Sequence, residues 1–170
     1  MEYKVLTIMQ PWATLLVHGV KKIETQPKPT TWTVEKGVYL IHAASKWTKE
    51  QENICCYDPF FTELCKLGYY TRIDSKTRFT FPLGQIIGAI EVKECFEIHN
   101  NTLPAHIHIP HLPDDLIYIQ EPELSFGNYE HGRSAWLCEN PRILKSPIPY
   151  KGGQGYYQNF KGDKSQLIFL

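Results

Sequence analysis

The chain has 170 residues, and its 18 lysines and arginines equal its 18 aspartates and glutamates, so the formal net charge at pH 7 is zero. A balanced chain has no general attraction for duplex DNA, and we expect no strong duplex binding; a site for one base is not excluded. No apolar run approaches the roughly 18 residues of a membrane-spanning helix, and the five cysteines show no C-x-x-C spacing. We expect a cytoplasmic protein, not associated with a membrane, in which residues 1–170 form a single domain.

The first part of the chain alternates between extended and helical patterns. Pro11 suits the first position of a helix, and the glycine at position 19 ends the helical pattern. The predicted order is a strand at 3–9, a helix at 12–18, an extended run at 22–25 and a proline-containing loop at 26–29.

The remaining elements are mostly strands. Residues 37–44 form an apolar run that indicates a central strand, and residues 46–67 predict a helix in two pieces broken at Asp58-Pro59. We expect a turn at 82–84, long strands at 85–98 and 134–144, a helical turn at 156–157 and a closing strand at 167–170. Gly88 indicates a bulge or bend within the first long strand. Residues 100–124 carry four prolines and predict an irregular insert.

Strands outnumber helices in this pattern, and the helical segments lie between strands. We therefore predict an α+β fold, a small mixed β-barrel with flanking helices at its openings.

The segment at 19–26, Gly-Val-Lys-Lys-Ile-Glu-Thr-Gln, places a lysine and a glutamate three residues apart after a helix end. Lys21 and Glu24 are close enough to pair, and partial burial would shift their protonation states. Lys21 suits a base carbonyl or a phosphate, while Glu24 suits an exocyclic amine or the role of a base. The alternatives are a buried salt bridge that braces the structure and a solvated pair at a helix end.

Several motifs together resemble the ASCH domain family of the PUA-like superfamily. They are Thr7-Ile8-x-Gln10-Pro11-Trp12-Ala13, Gly19-x-Lys21-x-x-Glu24, Pro82-x-Gly84-x-Ile86-x-Gly88, Gly127-x-Tyr129 and Gly132-Arg133-x-Ala135-Trp136. The family signature is G-x-K-x-x-E-x-R, and Gln26 stands here where arginine is usual. The lost cation argues against phosphate contact or bidentate anion recognition at that position.

The resemblance implies a PUA-like mixed β-barrel with a cleft beside the first helix, lined by the signature. It also implies an association with RNA, nucleotides or modified bases. Some small members are amidohydrolases that remove acyl groups from the N4 amine of cytidine, and others are associated with ribonuclease or DNA-binding activity. In the amidohydrolase-like members a threonine stands where this chain has Glu24, so the hydroxyl nucleophile would have to come from Thr25 or another residue.

Four further residues complete the predicted ligand site. Gln10 and Trp12 lie at the start of the first helix, where Trp12 either stacks on a base or serves as a core tryptophan. Tyr129 and Arg133 lie in a glycine-bounded segment that either closes over a ligand or forms an ordinary loop. With Gln26 they are predicted to line the cleft around Lys21 and Glu24.

Other candidates have weaker patterns. His42 lies in the central strand, where we expect it to be buried and hydrogen-bonded, with a catalytic role as the alternative. The glycine-rich loop at 151–155 lacks the spacing of a phosphate-binding loop. His106, His108 and His111, with Asp114 or Glu121, raise the question of zinc, but the surrounding prolines indicate a surface loop. We expect no metal and no cofactor.

Three functions remain open from the sequence. The first is a binding module for RNA, single-stranded nucleic acid or a modified nucleoside. The second is a small hydrolase, an amidohydrolase acting on N4-acylated cytidine or a ribonuclease, with Lys21 and Glu24 as catalytic residues. The third is a protein-interaction adaptor.

Overall fold

The structure is a computed structural model that describes residues 2–27, 35–73, 76–99, 106–108, 116–153 and 157–170. The strands are β1 (Lys4–Ile8), β2 (Ile23–Gln26), β3 (Gly37–Ala43), β4 (Tyr70–Ile73), β5 (Lys76–Phe79), β6 (Gln85–His99), β7 (His106–His108), β8 (Leu116–Tyr118), β9 (Ser134–Pro149) and β10 (Gln158–Asn159). The helices are α1 (Trp12–Val17), α2 (Lys49–Ile54), α3 (Phe60–Lys66) and α4 (Glu123–Phe126), with a 3-10 turn at Lys164–Gln166.

One large sheet organises the fold. Its order is β10-β1-β3-β6-β7-β8, and β9 pairs with both β6 and β2. The β1–β3 pair is parallel and the other pairs are antiparallel. The four strands predicted at 3–9, 37–44, 85–98 and 134–144 all belong to this sheet, as expected. The mixed α+β content is confirmed, but among the described residues no pairing closes the sheet, so the barrel is not confirmed.

Gly88 marks the predicted irregularity in the long strand β6. The register of β6 shifts between Ile86 and Gly88 against β9, and β3 shifts opposite the same place. A Cβ atom on Gly88 would lie 2.3 Å from the carbonyl oxygen of Arg142. Only glycine allows the two backbones to approach this closely without displacing one of them.

Helix α1 packs its apolar face on the sheet. Leu16 and Val17 join Leu6, Ile41 and Trp136 in one buried cluster. A second cluster, around Leu15, Phe60, Leu64 and Phe126, joins α1 to α2, α3 and α4. The short helix α1 therefore packs against the sheet on one side and against the other helices on the other side. This packing fixes the position of the residues that follow its C-terminal end.

Several expected elements differ from the structure. Two helices, α2 and α3, occupy the segment predicted as a broken helix, but a two-stranded hairpin of β4 and β5 follows them. The predicted irregular insert contains β7 and β8, which pair with each other and extend β6. The end of the chain makes one bridge, Leu144 with Phe169, where a closing strand was predicted. The predicted turn at 156–157 lies partly outside the described residues.

No helix in the described parts of the chain has the length and the apolar character needed to cross a membrane. The cytoplasmic location stays a prediction.

Candidate functional site

The end of α1 directs Lys21 into the protein. Gly19 has a left-handed conformation, with φ of +72°. The N–H of Gly19 donates to the carbonyl oxygen of Leu16 at 3.0 Å, and those of Val20 and Lys21 donate to that of Leu15 at 3.0 and 3.1 Å. This is a Schellman motif, which satisfies the last carbonyl groups of the helix and reverses the chain.

Lys21 is buried and surrounded by acceptors. Its side chain is 1% exposed, and its Nζ donates to the carbonyl oxygen of Ile23. The same Nζ lies 3.4 Å from Oε2 of Glu24 and 3.9 Å from Oε1 of Glu123. A buried ammonium group needs such compensation, because burial of an unpaired charge is very costly. The pair is therefore not a solvated pair at a helix end.

Glu123 is the residue that sequence reasoning missed. It is the first residue of α4, and its Oε1 and Oε2 accept hydrogen bonds from the main-chain N–H groups of Ile23 (3.0 Å) and Lys22 (2.7 Å). The hydroxyl of Tyr129 donates to Oε1 at 3.1 Å. These bonds anchor Glu123 to β2, so it holds a fixed negative charge beside Lys21. The only sequence signal is an acidic residue after Pro122 at a helix start, about a hundred positions from Lys21.

Glu24 and Gln26 form a polar edge next to Lys21. Glu24 is 7% exposed, and its Oε1 accepts a hydrogen bond of 2.8 Å from Nε2 of Gln26. Burial raises the pKa of Glu24 above its ordinary value, while Lys21 and Gln26 lower it and Glu123 raises it further. Burial outweighs the attraction to Lys21, so the carboxyl group is easier to protonate than a solvated glutamate.

A cavity of about 510 Å³ opens above these residues. This volume lies within the range of small-molecule sites, roughly 300–1,000 Å³. The cavity draws on strands β1 and β2, helices α1, α2 and α4 and the loop before β9; its lining residues are Thr7, Ile8, Met9, Trp12, Lys21, Glu24, Thr25, Gln26, Ile54, Ser125, Phe126, Gly127, Asn128 and Arg133.

Trp12 both packs and lines the cavity. Its ring meets that of Phe60 edge to face, with centroids 5.9 Å apart and planes at 86°. The side chain is half-buried, and part of it remains available to the cavity. Trp12 therefore packs against the core and also lines the cavity; its stacking on a base stays a prediction.

Arg133 reaches the cavity from the loop that follows α4. Its Nε donates to the carbonyl oxygen of Asn128 at 3.2 Å, and its Nη2 donates to that of Thr25 at 3.5 Å. The N–H of Asn128 donates to the hydroxyl of Thr25 at 3.0 Å. These bonds fasten the loop to β2 and hold a cation at the cavity wall.

Two predicted ligand contacts, Gln10 and Tyr129, are not among the lining residues. Gln10 is fully buried; its Oε1 accepts from the N–H of Thr14 at 3.1 Å, and its Nε2 donates to the carbonyl oxygen of Pro82 at 3.2 Å. Tyr129 is 5% exposed, and its hydroxyl donates to Oε1 of Glu123. Both side chains brace the site, and we do not assign them to ligand contact.

In the described part of the chain, no three histidine, cysteine, aspartate or glutamate residues form a group that could hold a metal ion. His111 and Asp114 lie outside the described residues, and the side chains of His106 and His108 are not described. Cys138, beneath the site, is buried, which raises the pKa of its thiol to about 12 and keeps it protonated at neutral pH.

The model of the ASCH domain matches residues 6–148. The chain belongs to the ASCH domain family. A structural relative is a mutant form of the ZmASCH protein from Zymomonas mobilis, solved as a crystal structure, with 12% identity and a TM-score of 0.45 over 96% of this chain and 90% of that chain. The family resemblance drawn from the motifs is confirmed.

Membership in the ASCH family places the chain among PUA-like modules that are generally associated with RNA binding. The family signature maps onto the site described above: Gly19 ends α1, while Lys21 and Glu24 line the cavity. Gln26, in the place of the usual arginine, uses its amide to hold Glu24. The departure from the signature exchanges a cation for a neutral donor beside a buried carboxyl group.

Proposed function

We propose that this ASCH domain binds a nucleobase-containing ligand, a single-stranded RNA base or a modified nucleoside, in the cavity beside α1. The observation that carries the proposal is that an aromatic ring, a buried carboxyl group with its amide partner, and two cations line one cavity of nucleoside size: Trp12, Glu24, Gln26, Lys21 and Arg133.

Each of these groups has a role in recognising a base. A ring of Trp12 stacks on a base face, which contributes about 1–3 kcal/mol. Glu24 accepts a hydrogen bond from an exocyclic amine, and in its protonated form it also donates to a ring nitrogen. Arg133 pairs with a phosphate or a base carbonyl. This assignment favours bases with an exocyclic amine, cytosine and adenine, over uracil.

Calorimetric titration with cytidine, N4-acetylcytidine, adenosine and uridine tests this function. We expect the amine-bearing nucleosides to bind more tightly than uridine. Glu24→Gln should weaken cytidine binding by about tenfold or more, because a hydrogen bond to a charged group contributes about 1.5–3 kcal/mol.

Arginine variants provide the matched control. Arg133→Gln should weaken the binding of a nucleoside monophosphate. Arg78→Gln should leave this binding unchanged, because Arg78 is an exposed residue of β5 outside the cavity. If none of the four nucleosides binds, or if Glu24→Gln binds all of them as wild type does, the proposal is wrong.

Hydrolysis is the second candidate. The observation that favours it is the buried Lys21–Glu24 pair, in which burial raises the pKa of the carboxyl group, since such groups are common among acid–base catalysts. In this function Glu24 handles protons and Lys21 stabilises developing negative charge.

Release of acetate from N4-acetylcytidine tests this activity. Lys21→Met and Glu24→Gln should each lower the rate by at least about a hundredfold, the usual contribution of an acid–base group. Equal rates in wild type and Glu24→Gln would remove the hydrolase candidate and leave binding alone.

A further inference from the structure

A second cavity, with a volume of about 440 Å³, lies where the end of α1 meets β6 and β9. This volume is within the range of small-molecule sites, roughly 300–1,000 Å³. Lys21 lines both cavities, and the two share no other lining residue. The second cavity is therefore a separate space with its own set of contacts for a ligand.

The floor of the second cavity is apolar. Leu16, Ile90 and Cys138 line it, and all three are buried members of the main core cluster. The thiol of Cys138 is uncharged at neutral pH, because burial raises its pKa to about 12. Protein interiors are close-packed, so a cavity bounded by core side chains leaves apolar surface that a ligand can cover. The floor therefore suits an apolar group.

A β-bulge borders the second cavity. The register of β6 against β9 shifts between Ala89 and Glu91, and Asn140 and Pro141 of β9 have no partner in β6. Asn140 has a φ of +48°, and it is the one left-handed residue other than glycine in the described part of the chain. A bulge interrupts the ladder of hydrogen bonds and leaves its extra residue unpaired, so the two strands do not close over the cavity here.

The polar side chains of the bulge are engaged on the opposite face of the sheet. Nδ2 of Asn140 donates to Oε2 of Glu91 at 2.7 Å, and Oε2 of Glu139 lies 3.6 Å from Nζ of Lys93. Glu91 directly follows Ile90 in β6, so its side chain lies on the face away from the cavity floor, and that of Lys93 lies with it. Glu139 and Asn140 therefore border the cavity with their main chain, and their side chains do not set its charge.

Lys22 gives the second cavity its charge. The N–H of Cys138 donates to the carbonyl oxygen of Lys22 at 2.8 Å, so these residues are cross-strand neighbours with side chains on one face. Lys22 is exposed, lines the cavity and forms no ion pair within the described part of the chain. The other cation, Lys21, is already compensated by Glu24 and Glu123. Lys22 is therefore the cation that remains available to an anionic ligand.

We propose that the second cavity binds a small monocarboxylate with an apolar body, of the size of benzoate. The apolar body covers Leu16, Ile90 and Cys138, and the carboxylate pairs with Lys22 at the exposed rim. Apolar area removed from water drives the binding, while the exposed ion pair sets the preference for an anion. The site is separate from the nucleoside cavity, and the inference does not depend on the function proposed above.

Amide NMR spectra of the isotopically labelled whole chain test this site. The protein is titrated separately with sodium benzoate, benzyl alcohol and benzylamine, which share a ring and differ in charge. We expect benzoate to cause saturable shifts at the amides of Gly19, Lys22, Ile90 and Asn140. Benzyl alcohol should shift the same amides with an affinity at least about threefold lower, and benzylamine should bind more weakly still, because only benzoate can pair with the lysine.

Three variants connect the preference to the cavity. Lys22→Met keeps an unbranched apolar side chain but removes the charge, so benzoate and benzyl alcohol should then bind equally, within about twofold. Lys161→Met, which removes an exposed charge outside both cavities, should keep the wild-type preference. Cys138→Met extends a side chain into the cavity and should weaken both compounds by at least about tenfold. If Cys138→Met fails to fold, Lys22→Met and its control decide the result.

Benzylamine binding as tightly as benzoate, or an unchanged preference for benzoate in Lys22→Met, would overturn the proposal. A folded Cys138→Met variant that binds both compounds as wild type does would overturn it too. The same holds for the absence of saturable shifts at the four amides, and for benzoate shifts confined to Gly127–Arg133, which would place the compound in the nucleoside cavity. Cytidine is titrated in a separate sample, so failure of either site leaves the other result standing.

Discussion

At the scale of single residues, the site depends on how one buried cation is compensated. Lys21 faces the carbonyl oxygen of Ile23 and two carboxyl groups, those of Glu24 and Glu123. Glu24 lies next to the cavity, while Glu123 is fixed by main-chain donors. This division of roles leaves Glu24 available for a ligand while Glu123 continues to balance Lys21.

The role of Glu123 predicts a stability defect. Glu123→Gln keeps the side-chain shape but removes the charge near Lys21, and we expect a loss of about 1–3 kcal/mol in the free energy of unfolding. Urea denaturation measures this loss as a lower midpoint at an unchanged slope. Glu130→Gln is the control, since Glu130 is exposed and should change stability by less than about 0.5 kcal/mol. Equal stability of Glu123→Gln and wild type would show that Glu24 alone balances Lys21.

The raised pKa of Glu24 predicts a pH dependence of stability. The folded state then binds the proton of Glu24 more tightly than the unfolded state does, so this group contributes stability at low pH that is lost as pH rises from the ordinary value of 4.5 through the folded pKa. Urea denaturation of wild type and Glu24→Gln between about pH 4 and pH 8 measures the effect. The stability of wild type relative to the variant should fall as pH rises. A difference that stays constant or grows with pH would contradict the burial argument.

Spacing indicated that Lys21 and Glu24 could pair, because three positions in the sequence limit their separation in space, and the family resemblance added the expectation that both line a cleft. It did not indicate Glu123, which reaches Lys21 only through the docking of α4 on β2. Gln10 and Tyr129 were expected to contact ligand, because Gln10 lies at the start of the first helix and Tyr129 in a glycine-bounded segment that could close over a ligand. Gln10 instead bonds Thr14, four positions on in the chain, and the distant carbonyl group of Pro82, while Tyr129 bonds Glu123; the sequence analysis anticipated none of these bonds.

At the scale of elements, two helix ends with the same geometry have different consequences. Helix α1 ends at Gly19 and α3 ends at Gly68, with φ values of +72° and +78° and equivalent Schellman hydrogen bonds. A Cβ atom on Gly19 would lie 2.9 Å from Cγ of Pro141, whereas nothing lies within 4 Å of the same atom on Gly68. Only the first turn leads into the site, since Lys21 follows two residues later.

This pair of turns gives a matched experiment. Gly19→Ala and Gly68→Ala should each cost about 1–2 kcal/mol for the left-handed conformation, measured by urea denaturation. Gly19→Ala should lower the free energy of unfolding by more than Gly68→Ala does, because its Cβ atom would meet Pro141. It should also displace Lys21 and so weaken cytidine binding by about tenfold, as measured by calorimetry. Identical effects of the two variants on stability and binding would mean that the turn does not position Lys21.

The elements that the sequence predicted well have strong periodic or apolar patterns. The central strands β3, β6 and β9 and the helix α1 are of this kind, and Gly88 correctly marked an irregularity. The hairpin of β4 and β5 was missed because it is short and polar and its turn has no diagnostic pair of residues. Strands β7 and β8 were missed because prolines dominate the segment around them, although His-Ile-His still pairs with both β6 and Leu-Ile-Tyr, which forms the edge of the sheet.

At the scale of the whole molecule, charge limits the kinds of partner. With zero net charge, the chain lacks the excess of cations that duplex DNA binding requires. We expect single-stranded RNA to bind more tightly than duplex DNA of equal length at physiological salt, as measured by fluorescence anisotropy. Sub-micromolar affinity for duplex DNA under these conditions would contradict this expectation. That residues 1–170 form one domain also stays a prediction.

The central claim is that the cavity above Lys21 and Glu24 binds a nucleoside. A titration of the isotopically labelled protein with cytidine, followed by amide NMR spectra, tests it most directly because each amide reports its own surroundings. The account predicts saturable shifts at Lys21 to Gln26 and at Gly127 to Arg133, which are absent for the amides of the β4–β5 hairpin. Unchanged spectra at saturating cytidine, or shifts confined to residues outside the cavity, would contradict it.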